Sequence, residues 1–98
     1  MSENVKDDVK KFPNLPGVYR MLNKAGDIIY IGKSKDLKKR VLSYFNKTQP
    51  SPRTRLMVGN IASIEFTVTN TEAEALILEN NMIRSFMPRY NVIFRDDK

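Results

Sequence analysis

The sequence has 98 residues, a net charge of +6, and neither cysteine nor histidine. A chain this short forms at most one small domain with a modest core. It has no apolar run long enough for a membrane span or a secretion signal, so we expect a cytoplasmic protein that does not bind membranes. The missing residue types exclude disulfides, thiolate zinc sites and the commonest general base. Any chemistry must use carboxylates, tyrosines, lysines and arginines.

The positive charge is concentrated in one segment of the chain. Residues 33–55 hold eight basic side chains and one acid, a net charge of +7 against +6 for the whole chain. Such a field is typical of surfaces that bind a polyanion, because lysine and arginine neutralise phosphates and release counterions. A solvated helix face that only keeps the protein soluble explains the charge about equally well. The predicted DNA-binding residues are Lys33, Lys35, Lys38, Lys39, Arg40, Lys47, Arg53 and Arg55.

The N-terminal third predicts a short arm followed by a β-hairpin. Residues 1–11 alternate charges with few apolar residues, which is typical of a short helix or a loose arm. Residues 17–22 and 27–32 are runs rich in β-branched and aromatic residues, as in strands. The four residues 23–26, Asn-Lys-Ala-Gly, separate the two runs and predict a turn.

The register of this hairpin decides which tyrosines meet. If the loop consists of residues 23–26, Leu22 faces Asp27 in the opposite strand. Tyr19 then lies directly opposite Tyr30 on the same face of the hairpin. A loop that is one residue longer or shorter would break this pairing.

Two helices are predicted for the middle of the chain. Over 35–45, apolar residues recur at helical spacing opposite a basic side, which predicts an amphipathic helix. Ser51 followed by Pro52 is a favourable helix start, and a second short helix is predicted to run to about Gly59.

The C-terminal third predicts a strand, a long helix and a tail. Residues 63–69 alternate apolar and polar side chains, as in a half-buried strand. A capping box at 71–74 starts a helix that ends at Phe86, shortly before a proline. The apolar residues 90–94 predict an extended tail.

Glu79 occupies an unusual position in this last helix. At about 100° per residue, it falls within an arc of apolar residues formed by Ala75, Leu76, Met82, Ile83 and Phe86. An ionised carboxylate on an apolar face is costly unless a cation or hydrogen-bond donors meet it. Glu79 is therefore either a metal ligand or catalytic group, or one half of a buried ion pair. Glu72 projects nearly the same way, but the helix dipole explains an acid in the first turn, and Glu74 completes the capping box.

Two short sequences carry a family resemblance. Gly17-Val18-Tyr19 and Tyr30-Ile31-Gly32, with ten residues between them, resemble the paired motif of GIY-YIG nucleases. Residues 32–40, 43–45, 74–79 and 88–92 are also similar to that family, in particular to the incision subunit of bacterial nucleotide excision repair. The resemblance implies an α+β fold with a small three-stranded antiparallel sheet flanked by helices. It also implies that residues 1–98 are a single domain at the N-terminus of a longer chain.

The same resemblance implies a function. It predicts a DNA endonuclease that uses one divalent metal ion, Mg²⁺ or Mn²⁺, and makes the incision on the 3′ side of a lesion. The implied partners are damaged double-stranded DNA and a UvrB–DNA complex. The isolated domain is expected to be monomeric.

The resemblance also assigns roles to individual residues. Tyr30 resembles the residue that activates the attacking water, Tyr19 its partner, and Glu79 the sole direct protein ligand of the metal. Further residues that match positions lining the same pocket are Lys33, Arg40, Tyr44 and Asn91. Because a free tyrosine has a pKa of about 10, we hypothesise that Lys33 and a metal-bound water stabilise the Tyr30 phenolate. Arg40 would then neutralise the transition-state phosphate.

Three other interpretations fit parts of the sequence. Tyr19 and Tyr30 could be strand aromatics that only pack across a hairpin. A non-catalytic DNA-binding module would explain the basic helix and the tyrosines, which could stack on bases, but not Glu79. A stand-alone or homing GIY-YIG nuclease would share the chemistry in other biology, although the match at 88–92 favours the repair type.

Overall fold

The computed structural model describes residues 2–45 and 51–91, with side chains from Val5 onward. The elements in chain order are α1 (Ser2–Val9), β1 (Gly17–Leu22), β2 (Ile28–Ser34), α2 (Leu37–Ser43), α3 (Pro52–Gly59), β3 (Ser63–Val68) and α4 (Glu72–Phe86). The strands form one antiparallel sheet in the order β2-β1-β3, which confirms the expected α+β architecture. Within the described ranges, no helix is long and apolar enough to cross a membrane.

Side-chain caps fix where the helices begin. Asp36 caps α2 by accepting the backbone N–H of Lys39 at 3.1 Å, so this helix starts two residues later than predicted. Ser51 and Thr71 cap α3 and α4 as the sequence predicts. The N-terminal residues form a helix rather than a loose arm, because Val5 packs into the core.

The prediction of an extended tail over residues 90–94 is wrong for residues 90 and 91, which the structure describes. Residues 89–91 are helical, and residues 92–94 lie outside the described part of the chain. Met87 ends α4 in the left-handed conformation, with φ of 46°. The chain then turns back, so that Pro88 and Tyr90 are buried. Burial of the Tyr90 ring therefore fixes the path after α4.

The hairpin register differs from the prediction by one residue beside the loop and by two residues farther along the strands. Leu22 pairs with Ile28, and Tyr19 pairs with Gly32 instead of Tyr30. A shift of two residues leaves every side chain on its predicted face, because side chains alternate with a period of two. Tyr19 and Tyr30 are therefore diagonal neighbours on one face, with ring centroids 6.2 Å apart.

Two local features cause this shift. The Asn23 side chain accepts the backbone N–H groups of Ala25 and Asp27, at 3.0 and 2.9 Å, which lengthens the loop by one residue. A β-bulge between Met21 and Leu22 adds the second residue.

The sheet is covered differently on its two faces. On one face, Tyr19 and Met21 of β1 belong to the main core together with α1, α2 and α3. On the other face, Val18 and Ile31 pack with Ala75 of α4.

The apolar arc of α4 is only partly buried. Ala75 is buried, and Met82 and Ile83 pack against the smaller core. Leu76 and Phe86, which we predicted in the same arc, are 43% and 54% exposed. Because α4 packs against β1 and β2, the sheet covers a strip of the helix that is narrower than the predicted arc.

Candidate active site

Three tyrosines from three elements form one cluster. Tyr19 of β1, Tyr30 of β2 and Tyr44, the C-cap of α2, have ring centroids 5.9 to 6.5 Å apart. The hydroxyl groups of Tyr19 and Tyr44 are 2.7 Å apart, and Tyr30 is also hydrogen-bonded to Tyr44. Arg40 donates from Nη2 to the Tyr44 hydroxyl at 3.2 Å and lies 5.1 Å from its ring centroid. The structure thus brings together four of the predicted site residues.

The two glycines of the paired motif permit close approaches. A Cβ at Gly32 would overlap the hydroxyl and ring of Tyr19, its direct partner across the hairpin. A Cβ at Gly17 would overlap the backbone oxygen of Thr67 and lie 2.8 Å from Cδ1 of Leu37. Gly32 therefore leaves space for the Tyr19 ring, and Gly17 allows the close approach of Thr67 and Leu37.

Replacement of Gly32 should displace the Tyr19 ring. We expect Gly32→Ala to lower the free energy of unfolding by about 1–3 kcal/mol, the usual cost of overpacking a core, and to reduce incision. Denaturant unfolding measures the first effect. Gly59→Ala is the matched control, because a Cβ at Gly59 meets nothing within 4 Å. Equal stability of the two variants would contradict the assigned close contact.

Burial favours the neutral forms of Tyr19 and Tyr30. Burial raises the pKa of Tyr19 well above its usual value of 10.0, and Tyr44 and Tyr30 raise it further. Burial also raises the pKa of Tyr30, again with a contribution from Tyr44, while the charge of Arg40 opposes both shifts. Either of these two tyrosines can therefore act as a base only if cations favour its phenolate.

These pKa shifts predict a loss of stability in alkali. Above about pH 10, tyrosines of the unfolded chain release their protons, whereas Tyr19 and Tyr30 of the folded domain keep theirs. The unfolded state then binds fewer protons, so the free energy of unfolding falls by up to about 1.4 kcal/mol per pH unit for each residue. Urea unfolding between pH 9 and 11.5 measures this slope, and a Tyr19→Phe/Tyr30→Phe variant should lose most of it. An unchanged slope in that variant would contradict the assignment.

The Glu79 carboxylate lies at the outer edge of β2. It accepts a hydrogen bond from the backbone N–H of Lys33, and its charge raises the pKa of Tyr30. Burial raises the pKa of Glu79, and the Lys33 charge opposes that shift. Glu79 is half-buried on α4, and its carboxylate lies close enough to Tyr30 to act on its pKa.

Lys33 makes an ion pair that the sequence did not reveal. Its Nζ is 3.6 Å from Oε2 of Glu72, with side chains 32% and 53% exposed. The helix dipole is therefore not the only favourable interaction of Glu72. Glu72 and Glu79 are two helical turns apart and project from the same face of α4, but their spacing does not show that Lys33 of β2 lies beside them.

Asn91 supports the edge strand of the site. Its Oδ1 accepts the backbone N–H of Ile31 and its Nδ2 donates to the backbone oxygen of Ile31, both at 2.8 Å. Asn91 and Glu79 therefore satisfy backbone groups along the outer edge of β2, which carries Tyr30. Asn91, which was predicted to line the pocket, therefore holds β2 in place through its backbone.

The predicted DNA-binding residues lie largely at the surface. Lys33 and Lys38 are half-buried, and Lys47 lies outside the described residues. The exposed members are Lys35, Lys39, Arg40, Arg53 and Arg55. The single acid of this segment, Asp36, is engaged as a helix cap and accepts Nδ2 of Asn14 at 3.0 Å.

The site can accommodate one hard cation. Within residues 2–45 and 51–91, no group of three or more histidine, cysteine, aspartate or glutamate side chains could hold a metal. A metal held here would have few protein ligands, which suits Mg²⁺, because Mg²⁺ keeps several waters and accepts one or two carboxylates. Glu79 meets that requirement, since its ionised form is disfavoured by burial and a cation would stabilise it.

Comparisons with known proteins agree with this geometry. Residues 15–92 match the family model of the UvrC-like GIY-YIG domain. UvrABC system protein C from Methylobacillus flagellatus is 69% identical over 93 residues, which cover 95% of this chain and 16% of that protein. The protein of the same name from Dechloromonas aromatica is 58% identical over 98 residues, again 16% of its length. The chain thus spans about one sixth of the length of these relatives.

A solved structure matches over most of the fold. The GIY-YIG N-terminal endonuclease domain of UvrC from Thermotoga maritima, bound to its catalytic divalent cation, magnesium, has a TM-score of 0.82 and 37% sequence identity. The match covers 92% of this chain and 98% of that one. The chain therefore belongs to the GIY-YIG endonuclease family, as a UvrC-like GIY-YIG domain.

Proposed function

We propose that this domain hydrolyses DNA phosphodiesters with one divalent metal and makes the incision on the 3′ side of a lesion in nucleotide excision repair. The observation that carries the proposal is the Glu79 carboxylate beside the cluster of Tyr30 and its neighbours. The Thermotoga relative, described as bound to a catalytic divalent cation, supports the choice of metal. A non-catalytic DNA-binding module would give no reason for a half-buried acid at this place.

Glu79 would hold the metal with a carboxylate whose position is fixed by the packing of α4 and by a backbone hydrogen bond. Its helix packs on β1 and β2, and the Lys33 backbone N–H orients its carboxylate. When bound, Mg²⁺ or Mn²⁺ would supply Lewis-acid stabilisation of the phosphoryl oxygens.

Tyr30 would accept the proton of the attacking water. Its hydroxyl is hydrogen-bonded to Tyr44, whose hydroxyl is in turn 2.7 Å from that of Tyr19, so Tyr30 belongs to a connected chain of three phenols. Arg40 is the cation that favours the phenolate of Tyr30 in this cluster. We assign stabilisation of the Tyr30 phenolate to Arg40 rather than to Lys33, because the Lys33 ammonium pairs with Glu72.

The basic surface would bind the DNA backbone. The exposed lysines and arginines of α2 and α3 offer phosphate contacts that carry no sequence information. Targeting to lesions would then come from partners, and we propose a UvrB–DNA complex in the cytoplasm, with the isolated domain monomeric.

A chimera tests this function in its biological setting. The chain replaces its matching segment in UvrABC system protein C from Methylobacillus flagellatus, to which it is 69% identical. The chimera is incubated with UvrA, UvrB, Mg²⁺ and a duplex that is labelled on the damaged strand. We expect incision on the 3′ side of the lesion, and its loss when EDTA removes the metal. Incision that is confined to the 5′ side, or a 3′ incision that EDTA does not affect, would contradict the proposal.

A further inference from the structure

The charge of the Lys33 ammonium acts on two acids of α4. Its Nζ is 3.6 Å from Glu72, and its charge also lowers the pKa of Glu79. The two glutamates are seven residues apart and share one face of the helix. Lys33 thus contacts the two glutamates through different groups. Its side-chain ammonium forms an ion pair with Glu72, and its backbone N–H donates a hydrogen bond to Glu79.

The two acids of the first turn of α4 have different tasks. Glu74 serves the helix cap: its Oε1 accepts the backbone N–H of Asn70 at 2.8 Å, and its own N–H donates to Thr71 at 3.1 Å. Glu72 takes no part in these cap hydrogen bonds and faces Lys33 of β2 instead. The helix dipole favours an acid at either position, so it does not explain why Glu72 meets a lysine of the active site.

A lysine paired with Glu79 would compete with a metal for the same carboxylate oxygens. The flexible four-carbon stem of Lys33 allows its ammonium to occupy more than one position. We propose that Glu72 is a positioning residue, which holds the Lys33 ammonium away from the Glu79 carboxylate and so leaves that carboxylate open to the metal. This inference rests on the proposed function, in which Glu79 is the metal ligand.

Calorimetric titration of the purified domain with Mn²⁺ tests the proposal without any measurement of activity. We expect Glu72→Gln to weaken Mn²⁺ binding by at least about tenfold, the lower end of effects caused by residues that support a metal ligand. Lys33→Met should bind Mn²⁺ at least as tightly as the unchanged chain. The double variant Lys33→Met/Glu72→Gln should bind as Lys33→Met does, because Glu72 acts through the lysine.

A charge-matched control excludes a general electrostatic effect. Glu74→Gln removes one negative charge from the same helical turn and keeps the capping box, and its Kd should stay within about twofold. An unchanged Kd in Glu72→Gln would overturn the inference, as would a loss of affinity that is equally large when Lys33 is already replaced. Full Mn²⁺ binding by Glu79→Gln would overturn the proposed function itself, so the two failures are distinguishable.

Discussion

Glu79→Gln should abolish metal-dependent incision by the chimera while the domain stays folded. We expect the rate to fall by at least about 100-fold, because loss of the proposed protein ligand should exceed the loss caused by removing a supporting residue. Glutamine keeps the size of the side chain and can still accept the Lys33 backbone N–H. Single-turnover incision with a labelled lesion duplex measures this effect.

The stability of the same variant separates a ligand from a structural ion pair. Burial raises the pKa of Glu79, so the folded state favours the protonated carboxyl, and that contribution is lost as the pH rises through the folded pKa. Glutamine resembles the protonated form, so the melting temperature should be unchanged or higher at pH 7 and equal to that of the unchanged chain below about pH 4. DNA affinity should stay within about threefold. A large fall in melting temperature at pH 7 would instead identify Glu79 as half of a stabilising ion pair.

Tyr30→Phe should lose incision and keep the metal. General base catalysis contributes about 10²–10⁴-fold to rate, so we expect a loss within that range in the chimera. Mn²⁺ affinity of the isolated domain should change little, because the phenol is not assigned as a metal ligand. Incision measured against pH for the unchanged chain and for Tyr30→Phe provides the test.

Tyr90→Phe is the matched control for this substitution. Tyr90 is a buried tyrosine whose hydroxyl accepts Nδ2 of Asn60 at 3.2 Å, outside the cluster, whereas Tyr30 is half-buried. Removal of the Tyr90 hydroxyl should cost about 1 kcal/mol of stability with no comparable loss of incision. An undiminished rate in Tyr30→Phe would exclude this residue as the base.

Most of the fold could be predicted because its elements have clear local signals. The turn residues between the first two strands and the caps at Ser51 and Thr71 place elements close to where the structure has them. The β-bulge beside Leu22 has no such signal, because the extra residue, Ile29, is apolar like its neighbours in β2. The shift nevertheless left the tyrosines on their predicted face.

The sequence predicted which residues belong to the site better than it predicted which of them contact one another. The family resemblance indicated Tyr19, Tyr30 and Glu79, and the structure brings Tyr30 close to each of the other two. The pairing of Lys33 with Glu72 depends on how α4 lies along β2, which no periodicity in either segment determines. The exposure of Leu76 and Phe86 likewise depends on how much of the helix the sheet covers.

Anomalous diffraction from crystals soaked in Mn²⁺ would locate the cation directly. We expect one strong peak about 2.1 Å from a Glu79 carboxylate oxygen, near the distance that a hard cation of this size requires, on the side that faces Tyr30. The Lys33 ammonium should remain with Glu72. A Glu79 carboxylate that carries no ion and is paired with the Lys33 ammonium, in crystals that bind Mn²⁺ elsewhere, would contradict the assignment of the site.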